Sequence, residues 1–230
     1  MANRLISGIA ALAVRSWLVA GTSFLISVPC FAGLQKDEMT NSSLTITVRV
    51  FNYAGTSLET WKSAQIIATR IFNRAGIEPI WITCSLSSDG QYLVQDCAAI
   101  PRPDDIILRL VPASKASRAH FGNSTLGIAA LFEGGTPASA SVFYNRVEEL
   151  AKGGAAPVAV ILGHAAAHEI GHLLLGSKSD SSLGLMCGRW SRSSLTLAND
   201  GQLDFLPSEI VSIQRGLRLR SGVVASVSQK

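Results

Sequence analysis

The segment APVAVILGHAAAHEIGHLLLG, residues 156–176, constrains the fold more than any other part of the 230-residue chain. It is apolar around a whole helix rather than along one stripe, which is typical of a helix buried on all sides. Three histidines and a glutamate nevertheless lie within it, at 164, 168, 169 and 172. Because buried imidazole and carboxylate groups are costly without partners, the segment predicts a core helix that carries a polar site.

The pentapeptide His168-Glu169-Ile170-Gly171-His172 matches the pattern H-E-x-x-H. Residues four apart on a helix share one face, so both imidazoles can reach a single ion. Glu169 lies three residues before the second histidine, close enough to contact a metal-bound water. The pattern predicts a zinc site with His168 and His172 as ligands and with Glu169 as its base.

His164 also lies four residues before His168, so this second pair must be considered. A helix rises about 1.5 Å per residue, which separates His164 from His172 by about 12 Å along the axis. Zinc holds nitrogen ligands at about 2.0–2.1 Å, so one ion does not take both. The residue after His164 is Ala165, and this pair therefore has no base. We assign His164 to the core or to a contact that supports a ligand.

A catalytic zinc needs a third protein ligand and an open position for water. Gly176 follows His172 by four residues and can take the left-handed conformation that ends a helix. The next four residues, SKSD, are long enough to return to the metal. Asp180 is therefore the predicted third ligand, and its alternative is a solvated loop aspartate. A ligand from a more distant element is the other option, and the candidates are Asp200, Asp204, Glu209 and His120.

The stretch from 164 to 186 resembles the zincin metallopeptidases, and most closely small secreted bacterial enzymes of metzincin type. Metzincins carry H-E-x-x-H-x-x-G-x-x-H, or Asp in the last place, followed by a methionine in a tight turn. Here the helix-ending Gly176 comes one place later than in that pattern, and Asp180 comes two places later. Gly184-Leu185-Met186 is similar to the methionine turn.

The resemblance implies a secreted zinc-dependent endopeptidase with one catalytic Zn²⁺. A zinc-bound water would attack the peptide bond, and Glu169 would act as general base and pass the proton to the leaving amine. The partner would be a protein or peptide substrate. The run SASVFYN (139–145) would be a sheet edge that pairs with an extended substrate, or an ordinary edge. The alternative function is a non-catalytic, zinc-stabilised binding protein of the cell envelope.

The remaining pattern indicates an α+β domain over residues 43–220. Strands are predicted at 44–55, 77–84 and 105–111, with two more within 126–146. A helix begins after Ser57 as N-cap and ends at Gly76, and a last helix begins near Pro207. We therefore expect a zincin-like twisted mixed sheet with an antiparallel edge strand, a backing helix, an active-site helix and a C-terminal helix.

Residues 1–32 have the pattern of a signal peptide. Arg4 and Arg15 lie in its early part, and an apolar run follows that ends on the small residue Ala32. The run from Trp17 to Ala32 is shorter than the about 20 residues of a membrane-spanning helix, although an N-terminal anchor is the alternative. We predict an exported protein, secreted or periplasmic, without stable membrane insertion after cleavage. Residues 33–42 would be a flexible segment and 221–230 a tail.

Without residues 1–32 the chain has 18 Lys and Arg against 16 Asp and Glu, a net charge of +2. The basic residues are scattered singly, and no basic run occurs. We therefore expect no nucleic-acid partner.

Three cysteines remain after the predicted cleavage site. Cys84 and Cys97 flank a turn-like Ser-Ser-Asp-Gly, and in an oxidising compartment we expect them to form a disulfide rather than two free thiols. Cys187 is then expected to be a buried thiol.

Overall fold

The computed structural model describes residues 44–85, 91, 93–102, 104–112, 114, 125–131 and 138–227, with side chains up to 220. The predicted signal peptide (1–32), the predicted flexible segment (33–42) and His120 lie outside these residues. The boundaries of the predicted domain, 43 and 220, stay predictions.

The described strands and helices follow the predicted order, with two short helices and one further turn of helix that the sequence pattern did not indicate. They are β1 (Leu44–Asn52), α1 (Leu58–Arg74), β2 (Ile77–Cys84), α2 (Gln95–Ala98), β3 (Ile106–Val111), β4 (Gly127–Ala130), β5 (Ala138–Phe143), α3 (Tyr144–Ala151), α4 (Val158–Leu175), α5 (Arg192–Asn199) and α6 (Pro207–Val227).

The five strands form one mixed sheet in the order β2-β1-β3-β5-β4. The first four of these are parallel to one another, and β4 pairs with β5 in the antiparallel sense. Strand β1, helix α1 and strand β2 make the expected parallel crossover unit. The predicted fold class, α+β with a mixed sheet and an antiparallel edge strand, is confirmed.

The prediction that SASVFYN forms the sheet edge is wrong. Strand β5 lies between β3 and β4, and the chain turns into helix α3 at Tyr144. Ser139 pairs with Ile107 on one side and with Ala130 on the other. The small serines of this run indicated an edge, but their backbones are paired on both sides. The antiparallel edge strand is therefore β4. Residues 139–142 have strand partners on both sides, so the expectation that 139–145 pairs with a substrate is also wrong.

Helix α1 forms where its capping residue and apolar spacing predict. Ser57 accepts a hydrogen bond from the Thr60 amide at 3.1 Å, as an N-cap residue does. One face of the helix is buried, through Trp61, Ala64, Ala68, Ile71 and Phe72. This face packs on α4, and the two helices lie together against the sheet. Helix α1 is thus the backing helix that the sequence indicated.

Helix α4 is the centre of the fold, because it contacts α1, α3, α5, α6 and the strands β3, β4 and β5. Gly163 allows a close approach to α1, since a Cβ there would lie 2.6 Å from the Ala64 carbonyl oxygen. Among the described residues, α4 is the one helix long and apolar enough to cross a membrane, and 78% of it is buried inside the fold. Its apolar composition is accounted for by this burial.

The far end of β2 is tied to α2 by a disulfide between Cys84 and Cys97, as predicted. Next to it, Arg49 of β1 forms a buried ion pair with Asp105, with 2.7 Å between Nη2 and Oδ2. Arg49 also donates to the carbonyl oxygens of Ala99, at 2.9 Å, and Asp96. The segment around α2 is therefore anchored to the sheet by a covalent bond and by a buried charge pair.

Candidate metal centre

The structure brings His168, His172 and Asp180 together. The Nε2 atoms of the two histidines are 3.0 Å apart. The Asp180 Oδ1 atom lies 3.2 Å from Nε2 of His172 and 3.6 Å from Nε2 of His168. The possible ligand atoms of the three residues all lie within 4.8 Å of one another. The residues that the sequence selected as ligands therefore form one cluster.

Hydrogen bonds to the main chain orient both imidazole rings. Nδ1 of His168 donates to the Leu185 carbonyl oxygen at 2.8 Å, and Nδ1 of His172 donates to that of Ser177 at 2.9 Å. A carbonyl oxygen only accepts, so each Nδ1 carries a proton, and in a neutral imidazole the Nε2 atom then presents a lone pair. Burial lowers the pKa of His168, which favours this neutral form. With both rings neutral, two lone pairs face each other at 3.0 Å, and a cation satisfies both.

The cluster fits a zinc ion. Two ligand atoms at about 2.0–2.1 Å from a tetrahedral centre are about 3.3 Å apart. The separations of 3.0, 3.2 and 3.6 Å lie around that value. Two imidazoles and one carboxylate are a ligand set that zinc accepts, and three protein ligands leave a fourth position open. The main-chain hydrogen bonds on Nδ1 are the supporting contacts that metal-binding histidines usually have.

The loop after α4 carries Asp180 back to the histidines. Gly176 ends the helix in the left-handed conformation, with φ of 65°, as predicted. The loop is then held at Ser181, whose amide donates to the Met186 carbonyl oxygen at 2.8 Å. The hydroxyl of Ser181 donates to Glu209 of α6 at 2.5 Å. The residue next to Asp180 is therefore fixed to two other parts of the fold.

Met186 lies in a tight turn that packs on the helix carrying the two histidines. The Cys187 amide donates to the Gly184 carbonyl oxygen at 3.2 Å, and Gly184 has a φ of 72°. The Met186 side chain is fully buried, and its sulfur is 2.6 Å from where a Cβ on Gly171 would be. Gly171, between the two histidines, thus lets the methionine pack directly on the helix that carries them.

Glu169 is on the same helix and lines the same cleft. It is 5% exposed. Burial raises the pKa of Glu169 to about 8, and the charge of Asp180 adds to this effect. Its Oε1 atom lies close to Gly127 of β4, where a Cβ would be 2.7 Å away. Its predicted role as a base remains a prediction.

The cleft in front of the cluster has a volume of about 1020 Å³. Strand β4 lines one side, and the loop from Lys178 to Trp190 lines another. Cys187 is a free cysteine of intermediate exposure that lines this cleft, so the expectation of a buried thiol is wrong. The turn that buries Met186 places the next residue toward the open side.

The other candidate ligands that the structure describes do not belong to the cluster of His168, His172 and Asp180. Asp200 is exposed at the C-terminal end of α5, and Asp204 forms an ion pair with Arg74 at 2.9 Å. Glu209 accepts hydrogen bonds from Ser181 and from the Leu206 amide, at 2.7 Å, at the start of α6. His164 is 1% exposed, and its Nδ1 donates to the Val160 carbonyl oxygen at 2.8 Å. It is a core residue outside the cluster.

Three residues of the centre were not found from the sequence. Gly127 touches Glu169, and Gly188 touches Asp180. The ring of Trp190 stands edge-on to His168, with 5.9 Å between centroids, and its Nε1 shares the Leu185 carbonyl oxygen with that histidine. The contacts to Glu169 and His168 join segments distant in sequence, and the contact between Gly188 and Asp180 depends on the path of the loop, so no local pattern indicates them.

Comparisons with known proteins find similarity to solved structures and none to known sequences. No protein-family model matches the chain, and no curated protein matches it in sequence. The chain is similar to the crystal structure of archaemetzincin from Methanopyrus kandleri, with 15% identity and a TM-score of 0.44. The similarity covers 77% of this chain and 98% of that one.

Proposed function

We propose that the protein is a zinc-dependent endopeptidase, exported from the cell, with His168, His172 and Asp180 as ligands of one Zn²⁺. The observation that carries this proposal is the pair of facing Nε2 atoms, which are 3.0 Å apart. In each ring Nδ1 makes a hydrogen bond to the main chain, so Nε2 is the nitrogen available to a metal. The Asp180 side chain completes a three-ligand set and leaves room for a reacting group.

Zinc at this position would lower the pKa of a water molecule and polarise the carbonyl group of a substrate. The residues of the chain supply the rest of the reaction. Glu169 takes the proton of the attacking water and gives it to the leaving amine nitrogen. The raised pKa of Glu169, about 8, suits a group that both accepts and returns a proton near neutral pH.

A peptide is the proposed substrate because of the strand beside the cleft. Strand β4 pairs only with β5 among the strands that the structure describes, so its other edge has no strand partner there. Gly127, Ile128 and Ala129 of β4 line the cleft together with Glu169. An extended peptide can add to such an edge through main-chain hydrogen bonds, which would hold its scissile bond near the metal.

Export is proposed from the leader-like residues 1–32, and the disulfide between Cys84 and Cys97 supports it. Disulfides persist in oxidising compartments and are rare in the cytosol.

The test is Glu169→Gln, studied with Glu149→Gln as a matched control. Both glutamates line the cleft, but Glu149 is exposed and pairs with Lys152. Metal content is measured for each purified protein, and cleavage is measured on a general peptide library. We expect both variants to hold one zinc per chain and only Glu169→Gln to lose cleavage. Equal cleavage by Glu169→Gln and the parent would show that this residue is not the base.

The same data separate the proposal from the alternative of a non-catalytic, zinc-stabilised binding protein. Zinc uptake without chelator-sensitive cleavage of any library peptide would favour that alternative.

A further inference from the structure

The Asp180 carboxylate packs directly against the backbone of Gly188. A Cβ on Gly188 would lie 2.0 Å from Oδ2, 2.6 Å from Cγ and 3.0 Å from Cβ of Asp180. All three of the nearest atoms belong to this one side chain. No other glycine among the described residues has a closer approach of this kind. The position therefore has room for a hydrogen but not for a methyl group while Asp180 points to the histidines.

Little else holds the Asp180 carboxylate in this orientation. Its side chain is 49% exposed, and its contacts that the structure gives are those to His168 and His172. The backbone of the loop is fixed at Ser181 through Met186 and Glu209, but these bonds do not set the side-chain torsions of its neighbour. Gly188 limits those torsions on the side of Oδ2, while Oδ1 is the oxygen nearest to the two histidines.

We propose that Gly188 is a positioning residue for the metal site: its missing side chain lets Asp180 occupy the third ligand position. This inference rests on the proposed function only in taking Asp180 as a zinc ligand. With a methyl group at 188, the exposed Asp180 side chain would rotate toward solvent, because this relieves the clash without moving the backbone. The ligand would be displaced while the fold stayed intact.

The backbone of Gly188 permits this substitution, since its φ lies outside the left-handed region that side chains rarely adopt. An alanine at a compatible position also lowers the entropy of the unfolded chain. The zinc-free Gly188→Ala protein should therefore unfold at the same midpoint as the parent or slightly higher. Groups that orient metal ligands typically change metal affinity by about 10–100-fold when they are altered, and a loss in that range is expected for zinc.

The experiment is a double-mutant cycle on zinc affinity, measured by competition with a chromogenic chelator. The four proteins are the parent, Gly188→Ala, Asp180→Ala and the double variant. Gly188→Ala should weaken zinc binding about tenfold or more with Asp180 present, and less than about twofold with Asp180 removed, because nothing is left to position. Gly216→Ala is the matched control, since a Cβ there would meet its nearest atom at an ordinary 3.6 Å.

Equal losses in both backgrounds would overturn the inference, because Gly188 would then act on the fold and not on Asp180. Unchanged zinc affinity in Gly188→Ala would overturn it as well. A parent that binds zinc and behaves as expected in the cycle but cleaves no peptide would overturn the proposed peptidase activity alone. A parent that binds no zinc would overturn both.

Discussion

His168 and His172 face each other through their Nε2 atoms at 3.0 Å, and each donates its Nδ1 proton to a carbonyl oxygen of the loop after α4. Without a cation this arrangement leaves two buried lone pairs in contact, which is unfavourable. The loop carbonyls of Leu185 and Ser177 therefore prepare the rings for metal binding. The same loop supplies Asp180, so ligand orientation and the third ligand depend on one segment.

The three evenly spaced histidines should differ in their importance for zinc. His168→Gln and His172→Gln each remove a ligand, so purified protein should hold less than stoichiometric zinc after dialysis. His164→Gln should keep one zinc per chain, because His164 lies outside the cluster and its Nδ1 bonds to Val160 within the same helix. Elemental analysis measures the outcome. Zinc loss in all three variants to the same degree would contradict the assignment.

Zinc removal should lower the stability of the folded protein. A ligand that binds only the native state at a concentration of 100 times its Kd stabilises that state by about 2.7 kcal/mol. The unfolding temperature of the parent should therefore rise with zinc, fall with a chelator, and recover when excess zinc is restored. His172→Gln is the control, and its unfolding temperature should respond weakly. A parent that unfolds at the same temperature with and without zinc would argue against the metal site.

Gly127→Ala should impair catalysis and leave zinc binding unchanged. A Cβ on Gly127 would lie 2.7 Å from both Cγ and Oε1 of Glu169 and 2.6 Å from the Ser141 carbonyl oxygen. The Glu169 carboxylate would be pushed away from its place in the cleft. Misplacing a reacting group by about 1 Å can cost about 10²-fold, so kcat should fall by about tenfold to hundredfold while zinc affinity stays within about twofold.

The control for Gly127→Ala is Gly216→Ala, which has space for its methyl group. Steady-state kinetics on the best library peptide separates kcat from KM. A variant in which zinc affinity falls together with kcat would show that Gly127 supports the whole centre and not Glu169 in particular.

The parts of the site that depend on local geometry were predictable from the sequence. Helix period places His168 and His172 on one face, and Gly176 at the helix end allows the return that brings Asp180 back. Helix α1 was predictable for the same reason, since Ser57 and the apolar spacing that follows are local signals. In each case residues close together in the sequence are enough to predict the local structure.

The parts that depend on pairing between distant segments were not predictable. Strand β5 contains alternating serines, which are typical of an edge, yet β3 and β4 pair with it on both sides. The choice between β4 and β5 as the edge is made by the order of strands, which no single strand encodes. The contact between Gly188 and Asp180 was also not predictable. It depends on how the loop folds back on itself, and the sequence marks it only by the absence of a side chain at position 188.

His164 should make the stability of the protein depend on pH. Burial lowers the pKa of His164 in the folded state, and the nearby charge of Arg74 acts in the same direction, while Asp204 and the Val160 carbonyl oppose it. The unfolded chain then binds more protons than the folded one below the unfolded pKa of about 6.5. The stabilising contribution is complete above that pH and is lost as the pH falls toward the folded pKa.

The measurement is the free energy of unfolding of zinc-free protein at pH 8 and at pH 5.5. The parent should lose more stability over this interval than His164→Gln, which lacks the titrating group. The comparison with His164→Gln is needed because other groups also make stability depend on pH: burial lowers the pKa of His168 and raises that of Asp204. Parallel pH profiles for the two proteins would show that His164 does not contribute.

Arg49→Met should destabilise the fold strongly, because it leaves a buried carboxylate without its main partner. Asp105 is 1% exposed, and Nη2 of Arg49 lies 2.7 Å from its Oδ2. Removing one member of a buried ion pair typically costs about 3–5 kcal/mol. Arg102→Met is the matched control: Arg102 contacts the same carboxylate at 3.2 Å, but its side chain is 63% exposed, and exposed pairs contribute about 0–1 kcal/mol. Urea unfolding measures both variants, and similar losses in the two would show that burial does not decide the strength of this interaction.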